Sequence, residues 1–197
     1  MKRKAGLSRC KNYRYWLYRR WCDGPALIFI GLNPSTADAQ TDDPTLRRIM
    51  RFTHEWGFSA VTVVNLFAWR SRFPKELRVV TDPVGPRNDY WIRRLTRGDE
   101  PVVAAWGNGG HLLQRNQQVL SNIPEVYCLG TTRLGHPRHP RYAPANSRLI
   151  KIDKASHMNY KLVLASSLSF LYIASTRLTA QMWPQLISLQ SQRHHDH

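Results

Sequence analysis

The sequence predicts a three-layer α/β domain in which a central, mainly parallel sheet of four strands lies between helices. Four short apolar runs end at Gly, at Asn or just before polar residues, and three segments of helical character separate them. The apolar runs are residues 26–30, 60–66, 102–106 and 126–129, and the helical segments are 44–56, 86–96 and 110–120. Because right-handed crossovers join strands that alternate with helices, we expect parallel strands with helices on both faces.

An N-terminal edge strand is predicted to lead into this sheet. Residues 13–21 interleave Tyr and Trp with Arg, which suits a pleated surface, and Asp23-Gly24-Pro25 provides a break after them. The next run, 26–30, is continuously apolar and ends at Gly31, as is typical of a strand buried on both faces.

The helical segments and the end of the chain complete the predicted organisation. The first two helices open at Pro44 and Pro86, which is compatible with the first helical turn. From residue 155 onward basic residues thin out and Ser, Leu and Gln dominate. We therefore predict a domain over residues 1–155 and a C-terminal extension over 156–197. The extension either forms one or two helices or is poorly ordered.

The charge is the most unusual property of the composition. The chain has 29 Lys and Arg against 13 Asp and Glu, a net charge of +16 among 197 residues. Such an excess attracts polyanions, so nucleic acid is the first partner to consider. A basic surface without a specific partner is the alternative. An acidic membrane is disfavoured, because we find neither a lipidation signal nor a basic amphipathic helix.

The cysteines and the apolar segments predict a cytoplasmic protein without a membrane span. Cys10, Cys22 and Cys128 are widely spaced, so neither a disulfide framework nor a zinc site is expected. The basic N-terminus lacks the apolar core of a secretion signal. The longest apolar stretch, 162–173, is too short and too rich in Ser to span a bilayer. No cofactor is predicted.

The first candidate site segment follows the run 26–30 at the carboxyl end of its strand, where ligands bind in sheets of this class. Here Gly31 allows a close backbone approach, Pro34 fixes the loop, and Asn33 offers both a donor and an acceptor beside Ser35. These residues suit the positioning of a water molecule or a base. The alternative is an Asn-Pro turn that caps the next helix.

A second amide follows the next predicted strand. Asn65 lies beside Phe67 at the carboxyl end of the run 60–66, and an amide can pair with a nucleobase edge through matched donor and acceptor. The alternative is that Asn65 caps the loop.

The third segment, residues 131–142, concentrates His and Arg after the fourth predicted strand. His136 and His139 suit the stabilisation of developing negative charge, while Arg138 and Arg141 suit phosphate contacts. The alternative is a rigid basic surface loop. Metal binding by the His pair is not expected, because no carboxylate or thiolate lies nearby in sequence.

In their order along the chain, the three segments resemble the motifs of the uracil-DNA glycosylase superfamily. The resemblance implies that Asn33 orients the attacking water, that Asn65 reads the base, and that His139 or His136 lies at the base carbonyl. Thr45 stands where relatives carry a stacking aromatic, which disfavours uracil itself; Phe67 or Trp69 would have to substitute. The cysteines that bind an iron-sulfur cluster in some relatives are absent.

The chain more closely resembles an uncharacterised bacterial and phage family, domain of unknown function 1643, over residues from about 13 to 142. The shared features include Leu-Asn-Pro-Ser-Thr-Ala-Asp from residue 32, Asp-Asp-Pro-Thr from 42, Val-Val-Asn-Leu-Phe from 63, Asp-Pro-Val-Gly-Pro-x-Asn-Asp from 82 and the final Gly-x-Pro-x-His-Pro from 135. Asp38, Asp42 and Asp43 within the first two features are candidates for a general base or for holding a divalent ion. Their alternative role is the acidic first turn of the helix that begins at Pro44.

Three functions remain open from the sequence. The first is an enzyme that cleaves the N-glycosidic bond of a base, modified or not, in nucleic acid, with DNA ahead of RNA, or in a nucleotide. The second is a non-catalytic nucleic-acid-binding module of the same fold, and the third is a small-nucleotide hydrolase. The binding module would use basic and aromatic residues for phosphate contacts and stacking; the candidates are Arg14, Tyr15, Trp16, Arg19, Arg20, Arg138 and Arg141. The sequence does not predict the oligomeric state.

Overall fold

A computed structural model of the chain describes residues 1–153 and 161–163. Residues Met1–Val163 form one compact unit built on a single mixed sheet. The strands are β1 (Lys2–Leu7), β2 (Arg14–Arg20), β3 (Ala26–Gly31), β4 (Ala60–Asn65), β5 (Val102–Ala104), β6 (Tyr127–Cys128), β7 (Ile150–Asp153) and β8 (Lys161–Val163). Their order in the sheet is β1-β2-β4-β3-β5-β6-β7-β8.

The centre of the sheet is the parallel part, in the order β4-β3-β5-β6. These are the four strands that the apolar runs predicted, so the α/β class is confirmed. The predicted sheet size is wrong, because antiparallel strands extend both sides to a total of eight. The added strands lack the apolar pattern of the central ones, and β1 is mostly exposed.

The N-terminal strand is present but does not lie at the edge. Residues 14–20 form β2, which pairs antiparallel with β4 on one side and with β1 on the other. β1, with the sequence Lys-Arg-Lys-Ala-Gly-Leu, therefore covers the edge that was predicted to be open. Lysine and arginine on an outer strand oppose further pairing with other chains.

Three α-helices connect the parallel strands: α1 (Pro44–Glu55), α2 (Asn88–Leu95) and α3 (Arg115–Leu120). The third predicted helix, 110–120, is divided. Its first part belongs to a 3₁₀ segment, Gly107–Gln114, in which Leu113 and Gln114 have φ angles of 52° and 55°. These left-handed residues break the helix before α3 begins.

The helices cover both faces of the sheet. On one face, Ile28 and Ile30 of β3 pack in a buried cluster with Ile92 of α2 and Val119 of α3. On the other, Phe29 stacks against Trp56, which follows α1, with ring centroids 6.3 Å apart. Strand alternation therefore directs Gly31 and its register partner Asn65 to the face covered by α1.

Within the described part of the chain, no helix is long and apolar enough to cross a membrane. Apart from β8, the predicted C-terminal extension, 156–197, lies outside the described residues.

Candidate functional site

The loop after β3 is bound to the loop after β4 by Asn33. Its Nδ2 donates to the carbonyl oxygens of Ser71, at 2.9 Å, and Pro34, at 3.2 Å, while the Ser71 amide donates to Pro34 O at 2.9 Å. Among the described residues, the side chain of Asn33 forms hydrogen bonds only through Nδ2, so its Oδ1 can accept one. Pro34 is buried, and Ser35 is half-buried next to it.

Asn65 lies at the carboxyl end of β4, beside Gly31 of β3. The two residues are register partners, and a Cβ atom at Gly31 would lie only 2.7 Å from Asn65 Oδ1. Asn65 is 3% exposed, and its Nδ2 has no hydrogen-bond partner within the described residues. An unsatisfied buried donor costs about 1–3 kcal/mol, so this amide is a candidate for contact with a ligand.

The backbone of Asn65 is held from the opposite face of the sheet by Asn88, at the start of α2. Asn88 is completely buried, and its Nδ2 donates to Asn65 O and Leu66 O, each at 3.0 Å. Arg115 Nε also donates to Leu66 O, at 3.2 Å, and its Nη2 pairs with Asp89 at 2.5 Å. The sequence points to Asn88 only as part of the family segment that starts at Asp82 and assigns it no role. A polar side chain in the first turn of a helix looks exposed unless the end of the neighbouring strand is known.

The loop after β6 folds back into a closed hairpin. The Thr132 amide donates to His136 O and the Arg138 amide to Gly130 O, each at 2.8 Å. A further bond, from Gly107 N to Pro137 O at 2.8 Å, attaches the loop to the end of β5. His136 and His139 are therefore placed on a rigid loop next to the parallel strand ends.

His139 is half-buried near the start of α1. Burial lowers its pKa below the ordinary value, and the nearby carboxylate of Asp43 partly opposes this shift. The Arg141 amide donates to its Nδ1 at 3.2 Å. A neutral imidazole whose Nδ1 accepts must carry its hydrogen on Nε2, so His139 presents an Nε2–H donor.

Arg48 of α1 holds the turn that follows His139. Its Nε donates to Pro140 O at 2.9 Å and its Nη2 to Ala143 O at 2.5 Å, and the guanidinium lies 5.2 Å from the ring centre of Phe52. No local pattern predicts this role, because it depends on α1 packing against a loop more than ninety residues away.

His136 lies next to another histidine, His111, with ring centroids 5.7 Å apart. Burial lowers the pKa of His136, and the positive charge that His111 can carry adds to this effect. Thr132 Oγ1 donates to Asn108 Oδ1 at 2.7 Å and so joins the loop after β6 to the 3₁₀ segment that carries His111. Sequence reasoning missed His111, which follows a Gly-rich segment that looks like an ordinary connection.

The two arginines of this loop differ in their surroundings. Arg138 Nη2 donates to Thr131 O at 2.9 Å, so this guanidinium partly serves the loop itself. Arg141 is exposed beside Tyr142, which is 75% exposed. Leu134, at the tip of the hairpin, is 67% exposed. The exposed side chains of this loop therefore include both arginine and large apolar residues.

The aromatic residues suggested for base stacking are largely enclosed. Phe67 is completely buried and belongs to the core on the α2 and α3 face. Trp69 is half-buried with its ring edge-on to Tyr13, the centroids 5.5 Å apart. Phe67 therefore has no exposed ring face to offer a base.

The three carboxylates near Pro44 have structural roles. Asp43 caps α1 by accepting from Leu46 N at 2.7 Å, and Asp42 pairs with Arg19 at 2.7 Å. Asp38 accepts from the amides of Gln40 and Thr41. The alternative role at the start of α1 therefore applies to Asp43, whereas the carboxylate of Asp42 forms an ion pair with Arg19. Among the described residues, no group of three or more His, Cys, Asp and Glu is arranged to hold a metal ion.

The residues suggested for nucleic-acid binding around β2 do not form one exposed basic surface. Arg14, Tyr15 and Arg19 are 4%, 4% and 0% exposed. Trp16 packs against Trp91 of α2, with ring centroids 5.8 Å apart. Sequence reasoning placed these residues outward because it took β2 for an edge strand, whereas α2, β1 and the loop after β3 cover it.

Comparison with known protein families places the chain in one of them. A family model described as "Protein of unknown function (DUF1643)" matches residues 14–141, roughly two thirds of the chain. The matched range runs from the start of β2 to Arg141 and includes every site residue described above except Tyr142 and Ala143. Neither the search of curated proteins nor the search of solved structures returned a match.

Proposed function

Because the chain belongs to the family of proteins of unknown function DUF1643, whose description names no activity, we propose a function from the site itself. The protein recognises a nucleobase at the carboxyl ends of β3 and β4 and hydrolyses its N-glycosidic bond, in nucleic acid or in a nucleotide. The observation that carries the proposal is the buried amide of Asn65, which lacks a hydrogen-bond partner within the described residues.

The position of Asn65 supports base recognition. Its amide occupies the space that a side chain at Gly31 would fill, and Asn88 fixes its backbone from the opposite face. An amide held in this way offers a donor and an acceptor in a fixed direction, which matches the edge of a base. Discrimination between bases follows when a buried polar group is satisfied by one base and left unpaired by another.

The spacing across the sheet suits a ligand of this size. Asn65 lies on β4, and β3 separates β4 from β5 in the sheet. His139 lies beside Gly107, which follows β5, because a Cβ atom added at Gly107 would be 3.5 Å from the Cβ of His139. Because neighbouring strands lie about 4.8 Å apart, the ends of β4 and β5 are roughly 10 Å from each other. That gap is about what a base needs between two contacting side chains.

The reaction divides between Asn33 and His139. The N-glycosidic bond breaks with its electron pair leaving on the base, and a water oxygen bonds to C1′ of the sugar and releases a proton to solvent. Oδ1 of Asn33 accepts a hydrogen bond from this water. The Nε2–H of neutral His139 donates to the departing base anion, where charge develops in the transition state.

A relationship with the uracil-DNA glycosylase superfamily is part of the proposal. What supports it is the order of the three strand-end segments along the chain and their attachment to β3, β4 and β6, which all belong to the parallel part of the sheet. The charge of +16 and the exposed Arg133 and Arg141 favour a polyanionic substrate, with DNA ahead of RNA.

A non-catalytic reader of nucleic acid is the second candidate, and one observation favours it. Asn33 uses its Nδ2 to join the loops after β3 and β4, a role that a purely structural residue would fill. In this case Asn65 still recognises the base but no bond is broken.

A base-release assay separates the two candidates. The protein is incubated with single- and double-stranded DNA that contains uracil, a mismatch or a modified pyrimidine, and with the free nucleotides, and free base is measured. The enzyme releases base from at least one substrate and loses this on Asn33→Ala and on His139→Ala. Salt-sensitive binding without release, unchanged by Asn33→Ala, identifies the reader. Release from free nucleotides without DNA binding identifies a small-nucleotide hydrolase.

A further inference from the structure

Residues 12–14 and 68–70 form a short antiparallel ribbon beside the candidate site. The Arg14 amide donates to Ala68 O and the Arg70 amide to Asn12 O, each at 2.9 Å, on either side of a bridge between Tyr13 and Trp69. Arg14 and Arg70 are therefore diagonal neighbours on one face of the ribbon. Such neighbours lie about 7–8 Å apart, within reach of each other's long side chains.

Arg14 is a buried cation whose charge is incompletely compensated. It is 4% exposed, Nη1 donates to Ala37 O at 2.7 Å, and Nε has no hydrogen-bond partner within the described residues. Burial lowers its pKa to about 10; the carboxylate of Asp43 opposes this shift, and the like charge of Arg70 adds to it. Arg19, equally buried, contrasts with it, because two of its nitrogens bind the Asp42 carboxylate at 2.7 and 2.9 Å.

Arg70 repeats the pattern from the other side of the ribbon. It is half-buried, Nη1 donates to Lys11 O at 3.1 Å, and Nε is buried without a partner within the described residues. On one face of the ribbon, two guanidinium groups thus each hold an Nε–H donor that no described protein atom accepts.

The nearby carboxylates of Asp38 and Asp43 offset the charge of Arg14 only from a distance. Asp38 accepts from the amides of Gln40 and Thr41, and Asp43 accepts from Leu46 N. In the part of the chain that the structure describes, neither carboxylate lies within ion-pair distance of Arg14 or Arg70. A buried charge without a partner is strongly unfavourable, so an anion that supplies the missing acceptors would be bound.

We propose that Arg14 and Arg70 bind a phosphate group next to the loop after β3. The site adjoins Ser71, whose backbone holds Asn33 and Pro34, so the phosphate would lie beside the base-directed residues. Guanidinium groups suit this ligand because their fixed N–H donors match phosphate oxygens. That the phosphate belongs to a nucleotide or to a nucleic-acid backbone rests on the proposed function; the anion site itself does not.

Calorimetric titration with inorganic phosphate, at constant ionic strength set by chloride, tests the site. Arg70→Met removes one member, and Arg72→Met is the matched control, because Arg72 is exposed two residues away and the charge lost is the same. We expect the wild type to bind phosphate, Arg70→Met to bind at least about ten-fold more weakly, and Arg72→Met to stay within about two-fold. Equal weakening in both variants, or no binding by the wild type, overturns the site.

Arg14→Lys supplies a second, independent variant, since it keeps the buried charge but loses the planar donor geometry. Its folding is checked by thermal unfolding without phosphate. A folded Arg14→Lys protein that binds phosphate as tightly as the wild type contradicts the assignment, and a weakening comparable to that of Arg70→Met supports it.

The same titration with larger probes identifies the source of the phosphate. A nucleoside 5′-monophosphate that binds more tightly than inorganic phosphate assigns the site to a free nucleotide, and an oligonucleotide without terminal phosphate that does so assigns it to the backbone. If neither probe binds more tightly than inorganic phosphate, the site does not serve a nucleotide ligand. None of these measurements requires base release, so a protein that releases no base leaves them interpretable.

Discussion

The amide of Asn65 occupies the space next to Gly31 that any larger residue would need. A Cβ atom at Gly31 would lie 2.7 Å from Asn65 Oδ1, closer than such atoms approach. Substitution Gly31→Ala should therefore displace the amide and destabilise the fold by about 1–3 kcal/mol through overpacking. In an Asn65→Ala background the same substitution should cost much less. Urea unfolding of the two single variants and the double variant measures this coupling; equal costs in both backgrounds would show that the contact is not what limits Gly31.

Asn65→Ala separates recognition from stability. Because the Nδ2 of Asn65 has no partner within the described residues, its removal should change the free energy of unfolding by no more than about 1 kcal/mol, while base release or base binding falls sharply. The control is Asn146→Ala, an exposed amide in a loop. Unfolding curves and ligand titrations of both variants give the comparison. A loss of several kcal/mol with ligand binding intact would make Asn65 a structural residue.

Asn88 should behave in the opposite way. It is completely buried and donates to two carbonyl oxygens, so Asn88→Ala leaves two acceptors unsatisfied and should destabilise the protein by about 2–3 kcal/mol. Asn88→Asp should be at least as harmful, because the carboxylate that replaces the amide has no N–H to donate. Urea unfolding is the measurement, with Asn122→Ala as an exposed control. Near-wild-type stability of Asn88→Ala would rule out the proposed support of β4.

Stability should depend on pH through His139 and His136. Burial lowers the pKa of each below the ordinary 6.5 in the folded protein, so the unfolded chain binds more protons at mildly acidic pH. Stability is therefore full above about pH 6.5 and is lost as the pH falls from there toward the folded-state pKa values. His139→Gln should reduce this slope, whereas His54→Gln, at an exposed position, should not. Unfolding curves between pH 5 and pH 8, a range set by the ordinary His pKa of about 6.5, test this; identical slopes in all three proteins would contradict it.

Arg48 should control the order of the loop that carries His139. Arg48→Met removes the donors to Pro140 O and Ala143 O, and we expect faster hydrogen exchange at Tyr142, whose amide donates to His139 O at 2.9 Å. Arg47→Met, one residue away on the exposed side of α1, is the control. Exchange rates that rise equally in both variants, or in neither, would remove Arg48 from the supports of this loop.

The central part of the fold was predictable because its signals are local. A run such as 26–30 is apolar at every position, and only a strand covered on both faces needs that pattern. β1 was missed because its exposed Lys and Arg carry no apolar alternation. Residues 13–21 were assigned to an edge for the same reason, since nothing in their own sequence shows that β1 lies outside them.

The site was predictable only to the level of its loops. The motifs at Asn33, Asn65 and His139 were found because strand ends can be read from sequence, but their supports come from distant segments. Asn88, Arg48 and the pairing of Arg14 with Arg70 all depend on which elements pack together, which no local pattern records. Burial was also misjudged where charge suggested a surface, as with Arg19, whose ion pair with Asp42 makes a buried position tolerable.

The side-chain amide resonance of Asn65 in ¹⁵N-labelled protein, assigned by its disappearance in Asn65→Ala, tests the central claim most directly. Oligonucleotides that differ only in one base, including an abasic one, are added to saturation. We predict that the resonance moves with at least one base and stays in place with the abasic strand, because the amide donates to the base itself. A resonance that never moves, or that moves equally with the abasic strand, would contradict base recognition by Asn65.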